Sequence, residues 1–133
     1  MPDLETAETL LAAAKRDLHA LGNMHDPDAF PVEVFGFHAQ QAVEKTLKAW
    51  LCVVGVSYAR THSLRYLLAL LEREGEEVSV WRMFEDLSMF AVQFRYDSYV
   101  DLHEALDRHS LFEKSRELWN HVDELFRAAE SQE

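Results

Sequence analysis

Apolar residues recur along most of this chain at steps of three and four, the spacing of one helical face. Over residues 3–22, Leu4, Ala7, Leu11, Ala14, Leu18 and Leu21 fall on a single stripe. Asp3 is placed to accept from the first free amides, and Gly22-Asn23 is a stop signal. After a turn containing Asp26 and Pro27, a second helix is predicted from Pro31 to Val54, with Gly55 as its terminator. Two adjacent stripes of it are apolar: Phe35, Ala39, Ala42, Thr46, Ala49, Val53 and Val43, Leu47, Trp50, Val54. So wide an arc marks a central helix that touches several neighbours. A third helix is expected over 61–74, capped by Thr61 or Ser63 and burying Leu64, Leu67, Leu68 and Leu71. The charged connector 75–80 leads to a fourth helix over 81–94, with Trp81, Phe84, Leu87, Ser88 and Ala91 on one side. Residues 95–100 read as a loop. The last helix is predicted to start at Asp101, which with Glu104 fits a capping box, and to carry Ala105, His109, Phe112, Trp119, Val122 and Phe126 on one face. Glu130–Glu133 are expected to fray. Five helical segments, short connections and no credible strand define an all-α protein. The economical arrangement is an up-down bundle.

Composition narrows this picture. A chain of 133 residues fits one domain, 1–133, and 4 glycines with 3 prolines are too few for the turns of an all-β fold. Hydrophobic residues at 48% and charged residues at 28% favour a folded chain. Cys52 stands alone, which excludes an internal disulfide or a cysteine-based zinc knuckle, and its place beside Trp50 and Val53 marks it as core. No apolar run reaches the roughly 20 residues that span a bilayer, and no basic-then-apolar leader opens the chain, so the expected location is the cytoplasm. No metal site is expected. No H-E-x-x-H occurs, no two of the seven histidines stand four apart, and the pairs Asp101/His103 and His121/Asp123 diverge on a helix. The four glycines are isolated, so no phosphate-binding loop is present and no cofactor is implied.

The net charge of −11 repels nucleic-acid backbones in general. The charge is uneven, however. Residues 45–71 contain no acid but hold Lys45, Lys48, Arg60 and Arg65. His38, Gln41, Lys45 and Lys48 form the polar stripe of the second helix; with Arg60, His62 and Arg65 they make a candidate anion-binding region. Two plainer uses of the same residues stand beside it: a solvated face hydrogen-bonded to a neighbouring helix, and a Glu44–Lys48 ion pair at i,i+4 that consumes one cation. Tyr96 and Tyr99 fall in the predicted loop, where they are available to a base or to a partner side chain.

The run Phe37-His38-Ala39-Gln40-Gln41-Ala42-Val43-Glu44-Lys45-Thr46-Leu47-Lys48-Ala49, followed by Thr61-His62-Ser63-Leu64, resembles the HEPN family of small helical bundles. In that family a phenylalanine, paired glutamines and an A-x-E-K-x-L-K run sit on the second helix, and a T-H-x-L element opens the next. The resemblance covers nearly the whole chain. It implies an up-down four-helix bundle with an additional short helix, often a homodimer, and for many small stand-alone members a protein partner, a minimal nucleotidyltransferase encoded alongside. The family's name reflects a proposed nucleotide-binding role. Other members are metal-independent ribonucleases, often toxins of toxin–antitoxin pairs. His62 matches the T-H-x-L histidine.

The ribonuclease members carry an R-x(4–6)-H motif near the start of the last helix. Its arginine holds the scissile phosphate, and its histidine moves a proton during attack by the 2′-hydroxyl. Here the matching arginine is Arg95, followed by Tyr96, but seven residues separate it from His103. Arg116 and His121 fit the window, yet five helical steps turn them about 140° apart. With 7 histidines and 9 arginines, about one such match is expected by chance. The motif therefore reads as degenerate. The chain is expected to act as a dimeric interaction and nucleotide-binding module, with a ribonuclease using Arg95 and His103 as the alternative. RNA or a nucleotide is the implied ligand.

Overall fold

The structure, a computed structural model, describes residues 1–93 and 107–132. Helix α1 spans Leu4–Leu21. The Asp3 carboxylate accepts from the Thr6 amide at 3.1 Å, and Ala7, Leu11, Ala14, Leu18 and Leu21 are buried, the stripe the sequence predicts. Helix α2 spans Val32–Val54 and ends at Gly55, whose φ of +78° suits a residue without a side chain. It is buried on both predicted stripes and beyond them, with Gln40, Glu44 and Thr46 also inside. Helix α3 spans Leu64–Arg73. Ser63 is its cap, accepting from the Tyr66 amide, while Thr61 instead accepts from the Ser63 amide and shapes the turn before it.

The fourth segment departs from expectation. Ser79–Leu87 is a 3-10 helix, and α-helical geometry begins only with α4, Ser88–Gln93. Trp81, Phe84 and Leu87 stand three apart, so three residues per turn align all of them against the core, and all three are buried. The last helix, α5, spans Arg108–Ser131. Asp107 caps it, accepting from the Ser110 amide at 3.1 Å. Asp107 has extended backbone, so the helix does not run unbroken from Asp101 as predicted; Asp101, Glu104 and Ala105 lie outside the described residues. Its core face matches the predicted one at Val122 and Phe126 but departs from it in the first half of the helix. Leu111, Ser115, Leu118, Val122 and Phe126 are buried, His109 is exposed, and Phe112 and Trp119 are half-buried on the flank. The C-terminal turn stays helical to Ser131, past the expected fraying point.

Contacts along the helices set their directions. The Asp3 amide donates to the Cys52 carbonyl at one end of the α1–α2 pair, and Asp17 meets His38 and Lys45 toward the other, so the two are antiparallel. The Trp119 indole N–H donates to the Leu11 carbonyl, and Gly22 lies against Phe112, so α5 is antiparallel to α1. Trp81 lies level with His121 and Trp50, whereas Phe90 lies level with Gly36, so the 3-10 segment and α4 run back along α2. The order is thus up, down, up, down, with α3 as the extra short element. Helix α2 packs against every other described helix. At Gly36 the approach is closest: a Cβ there would stand 2.4 Å from the Phe90 ring. The described residues contain no strand, and no helix among them is long and apolar enough to cross a membrane.

Candidate functional site

The polar residues of α2 gather around two carboxylates. The first is Glu44, whose side chain is only 6% exposed. Its Oε1 accepts from Gln40 Nε2 at 2.7 Å and lies 2.9 Å from His62 Nδ1; its Oε2 accepts from Lys48 Nζ at 2.9 Å. Gln40 is fully buried. Its amide also reaches the His62 carbonyl at 3.3 Å, and its Oε1 accepts from Gln41 Nε2 at 2.7 Å. Burial alone pushes the Glu44 carboxyl up. The hydrogen bonds from Lys48, Gln40 and His62, with the Lys48 charge, outweigh burial and hold it below the usual glutamate range. Glu44 is therefore a charged, fully committed acceptor at neutral pH.

This cluster ties the α2–α3 connection to α2. His62 is held by both its carbonyl and its ring, and Ser63 next to it caps α3. One residue further on, the Leu64 amide donates to Ser88 Oγ at the start of α4. Upstream, the Ala59 amide donates to the Tyr66 hydroxyl at 3.0 Å, and Lys48 Nζ sits 5.8 Å from the centre of the Tyr58 ring. Burial pushes the Tyr58 phenol up to about 12 and raises the Cys52 thiol as well, so both stay protonated at neutral pH. Besides the exposed Ser57 and Ala59, two charge-bearing or titratable side chains of the connection face solvent: His62, with 63% of its side chain exposed, and Arg60, which has no carboxylate partner among the described residues.

The second carboxylate is Asp17 of α1. Its Oδ2 pairs with Lys45 Nζ at 2.7 Å, and its Oδ1 lies 3.3 Å from His38 Nδ1. Arg65 pairs with Glu85 of the 3-10 segment at 3.4 Å. The seven residues singled out from the sequence are thus divided. Gln41, Lys48 and His62 belong to the Glu44 cluster, His38 and Lys45 to Asp17, Arg65 to Glu85, and Arg60 stands on the surface. The predicted Glu44–Lys48 ion pair forms. Gln40 as a buried bridge escaped the sequence reading, although its i,i+4 spacing from Glu44 was a usable signal. Nothing in the spacing pointed to Asp17 or Glu85.

Arg95, Tyr96, Tyr99 and His103 lie outside the described residues. Arg116 and His121 diverge, as the helical turn requires. Arg116 pairs with Glu113 at 2.7 Å on the surface, and the His121 ring lies 5.0 Å from Trp50 and 6.0 Å from Trp81. Among the described residues no group of three metal-ligating side chains comes together.

The helix order and the polar cluster on the central helix define an all-α domain whose second helix joins the core to a surface loop. A family model described as HEPN domain matches residues 4–129, and the chain belongs to that family. No curated protein and no solved structure matches it.

Proposed function

We propose that this HEPN protein is a homodimeric interaction and nucleotide-binding module whose protein partner is a minimal nucleotidyltransferase. The observation that carries this reading is the Glu44 cluster. A carboxylate satisfied by three internal donors is spent on holding a loop rather than on moving protons. The loop it holds presents Arg60 and His62 to solvent, beside Lys48 and the Tyr58 ring. A planar cationic fork, an imidazole and an aromatic edge on a preorganised connection suit the phosphate of a nucleotide. His38 and Lys45 are taken by Asp17 and Arg65 by Glu85, which leaves Arg60 as the candidate cation with no carboxylate partner among the described residues.

Two measurements test it. Co-expression with a minimal nucleotidyltransferase encoded beside the gene is expected to yield a complex that survives gel filtration. Thermal-shift titration with ATP and GTP is expected to raise the melting point in wild type and not in Arg60→Ala. A nucleotide at 100 times its Kd adds about 2.7 kcal/mol of stability. Absence of both complex and shift refutes the proposal. RNA cleavage in EDTA that is lost in both Arg95→Ala and His103→Ala replaces it with a metal-independent ribonuclease.

A further inference from the structure

Away from the residues of that loop, α1 and α5 leave a groove of about 280 Å³ between them. Its floor is apolar: Leu18 is buried, and Phe112 and Trp119 are half-buried and packed on the core. Its rim is cationic. Lys15 Nζ sits 5.2 Å from the centre of the Trp119 ring, and the Arg116 guanidinium sits 5.9 Å from the centre of Phe112. Lys15 has no carboxylate partner among the described residues. Arg116 gives only Nη2 to Glu113, which leaves the rest of its fork open. The Trp119 indole N–H is already spent on the Leu11 carbonyl, so what the ring offers a partner is apolar surface.

We infer that this groove docks a short acidic amphipathic helix of a partner protein. The inference rests on the interaction-module reading and adds the surface and the chemistry of the partner. The lining positions span about one turn of α1, roughly 6 Å, and about two turns of α5, roughly 12 Å, enough to seat a helix anchored at i, i+3 and i+4. An apolar side chain enters between Leu18, Phe112 and Trp119, and flanking carboxylates meet Lys15 and Arg116. Each cation stays over its ring and gains an opposite charge, so neither interaction is given up. A stacked base is disfavoured, because the protein's own cations already cover the two rings. The net charge of −11 does not oppose a few carboxylates at this spot, since screening at physiological salt limits each charge to about 8 Å.

The peptide-binding arm of the test needs no nucleotidyltransferase. A phage library of helical peptides of about 14 residues, with apolar residues at i, i+3 and i+4 and random flanks, is panned against the full chain. Selected peptides are then measured against wild type, Lys15→Glu/Arg116→Glu and Trp119→Ala, with circular dichroism confirming the fold. The expected outcome is enrichment of Glu and Asp at the flanks. Affinity should drop at least about tenfold in the double charge reversal and recover when the peptide's acids are changed to lysine. Selection without acidic bias, or affinity unchanged in the double reversal, overturns the proposal. So does a labelled uridine 12-mer that binds and loses affinity in Trp119→Ala, which places nucleic acid in the groove instead. Should Trp119→Ala unfold the chain, the charge reversal and its lysine rescue decide alone, since Lys15 and Arg116 are exposed. A nucleotidyltransferase complex that survives the double reversal separates the two readings: the module stands and this surface falls.

Discussion

Replacing Glu44 tests whether the α2–α3 connection is held as the geometry states. Glu44→Ala removes the acceptor for Gln40, Lys48 and His62 at once. Gln40 is fully buried, so its amide keeps only the longer bond to the His62 carbonyl. Lys48, 15% exposed, is left as a nearly buried charge without its partner. Breaking such a pair costs roughly 3–5 kcal/mol, and an under-satisfied buried amide costs about 1 kcal/mol more. A domain of this size loses about 4 °C per kcal/mol, so the melting point should fall by roughly 16–24 °C. Glu44→Gln retains one acceptor oxygen but sets an NH2 group against the Lys48 ammonium. It should cost about 2 kcal/mol, or roughly 8 °C. The pH profile separates the charge from the shape. The folded carboxyl lies below its ordinary value of 4.5, so the stability it supplies is complete above that value and drains as pH falls through the lower folded value. Thermal melts by circular dichroism from pH 7 to pH 3 should therefore show the gap between wild type and Glu44→Gln narrowing below about 4.5. A Glu44→Gln melt within 2 °C of wild type at pH 7 (roughly 0.5 kcal/mol), or a gap that persists unchanged to pH 3, refutes the account.

Three further outcomes are expected. Gly36→Ala drives a methyl into the Phe90 ring and should cost about 1–3 kcal/mol in a urea melt, despite the usual helix gain of alanine over glycine; Phe90→Leu should recover part of that loss. Ser115→Ala should be neutral or stabilising by up to about 1 kcal/mol in the same assay, because its buried hydroxyl has no hydrogen-bond partner among the described residues. Asp107→Ala should cost about 1 kcal/mol and speed hydrogen exchange of the first amides of α5, with that of Ser110 foremost.

The elements most legible in the sequence were those whose signals are local. The α1 stripe with its Asp3 cap, the two-sided burial of α2 and the four leucines of α3 all follow from positions within a turn or two of each other. The fourth segment was ambiguous, because Trp81, Phe84 and Leu87 satisfy a spacing of three, which a 3-10 helix uses fully and an α-helix uses in part. The first half of the α5 face was misassigned because Phe112 and Trp119 are large and apolar. Size alone does not distinguish a core residue from one that lies across the flank of α1.

The site divides along the same line. The Glu44–Lys48 pair could be read directly, since i,i+4 positions on one helix must be neighbours. The run from 45 to 71 is acid-free in the sequence, yet in space Asp17, Glu44 and Glu85 come to its cations from other elements or from its edge. The helical period of α1, α2 and α3, the caps of α1 and α3, and family membership are properties of neighbouring residues, and the sequence by itself determined them. Which cation meets which carboxylate, which side of the first half of α5 faces inward, and that α1 and α5 leave an apolar cleft between basic rims were decided only by tertiary packing. Those pairings join residues 18 to 108 positions apart, and no local pattern records a distance that only the folded chain creates.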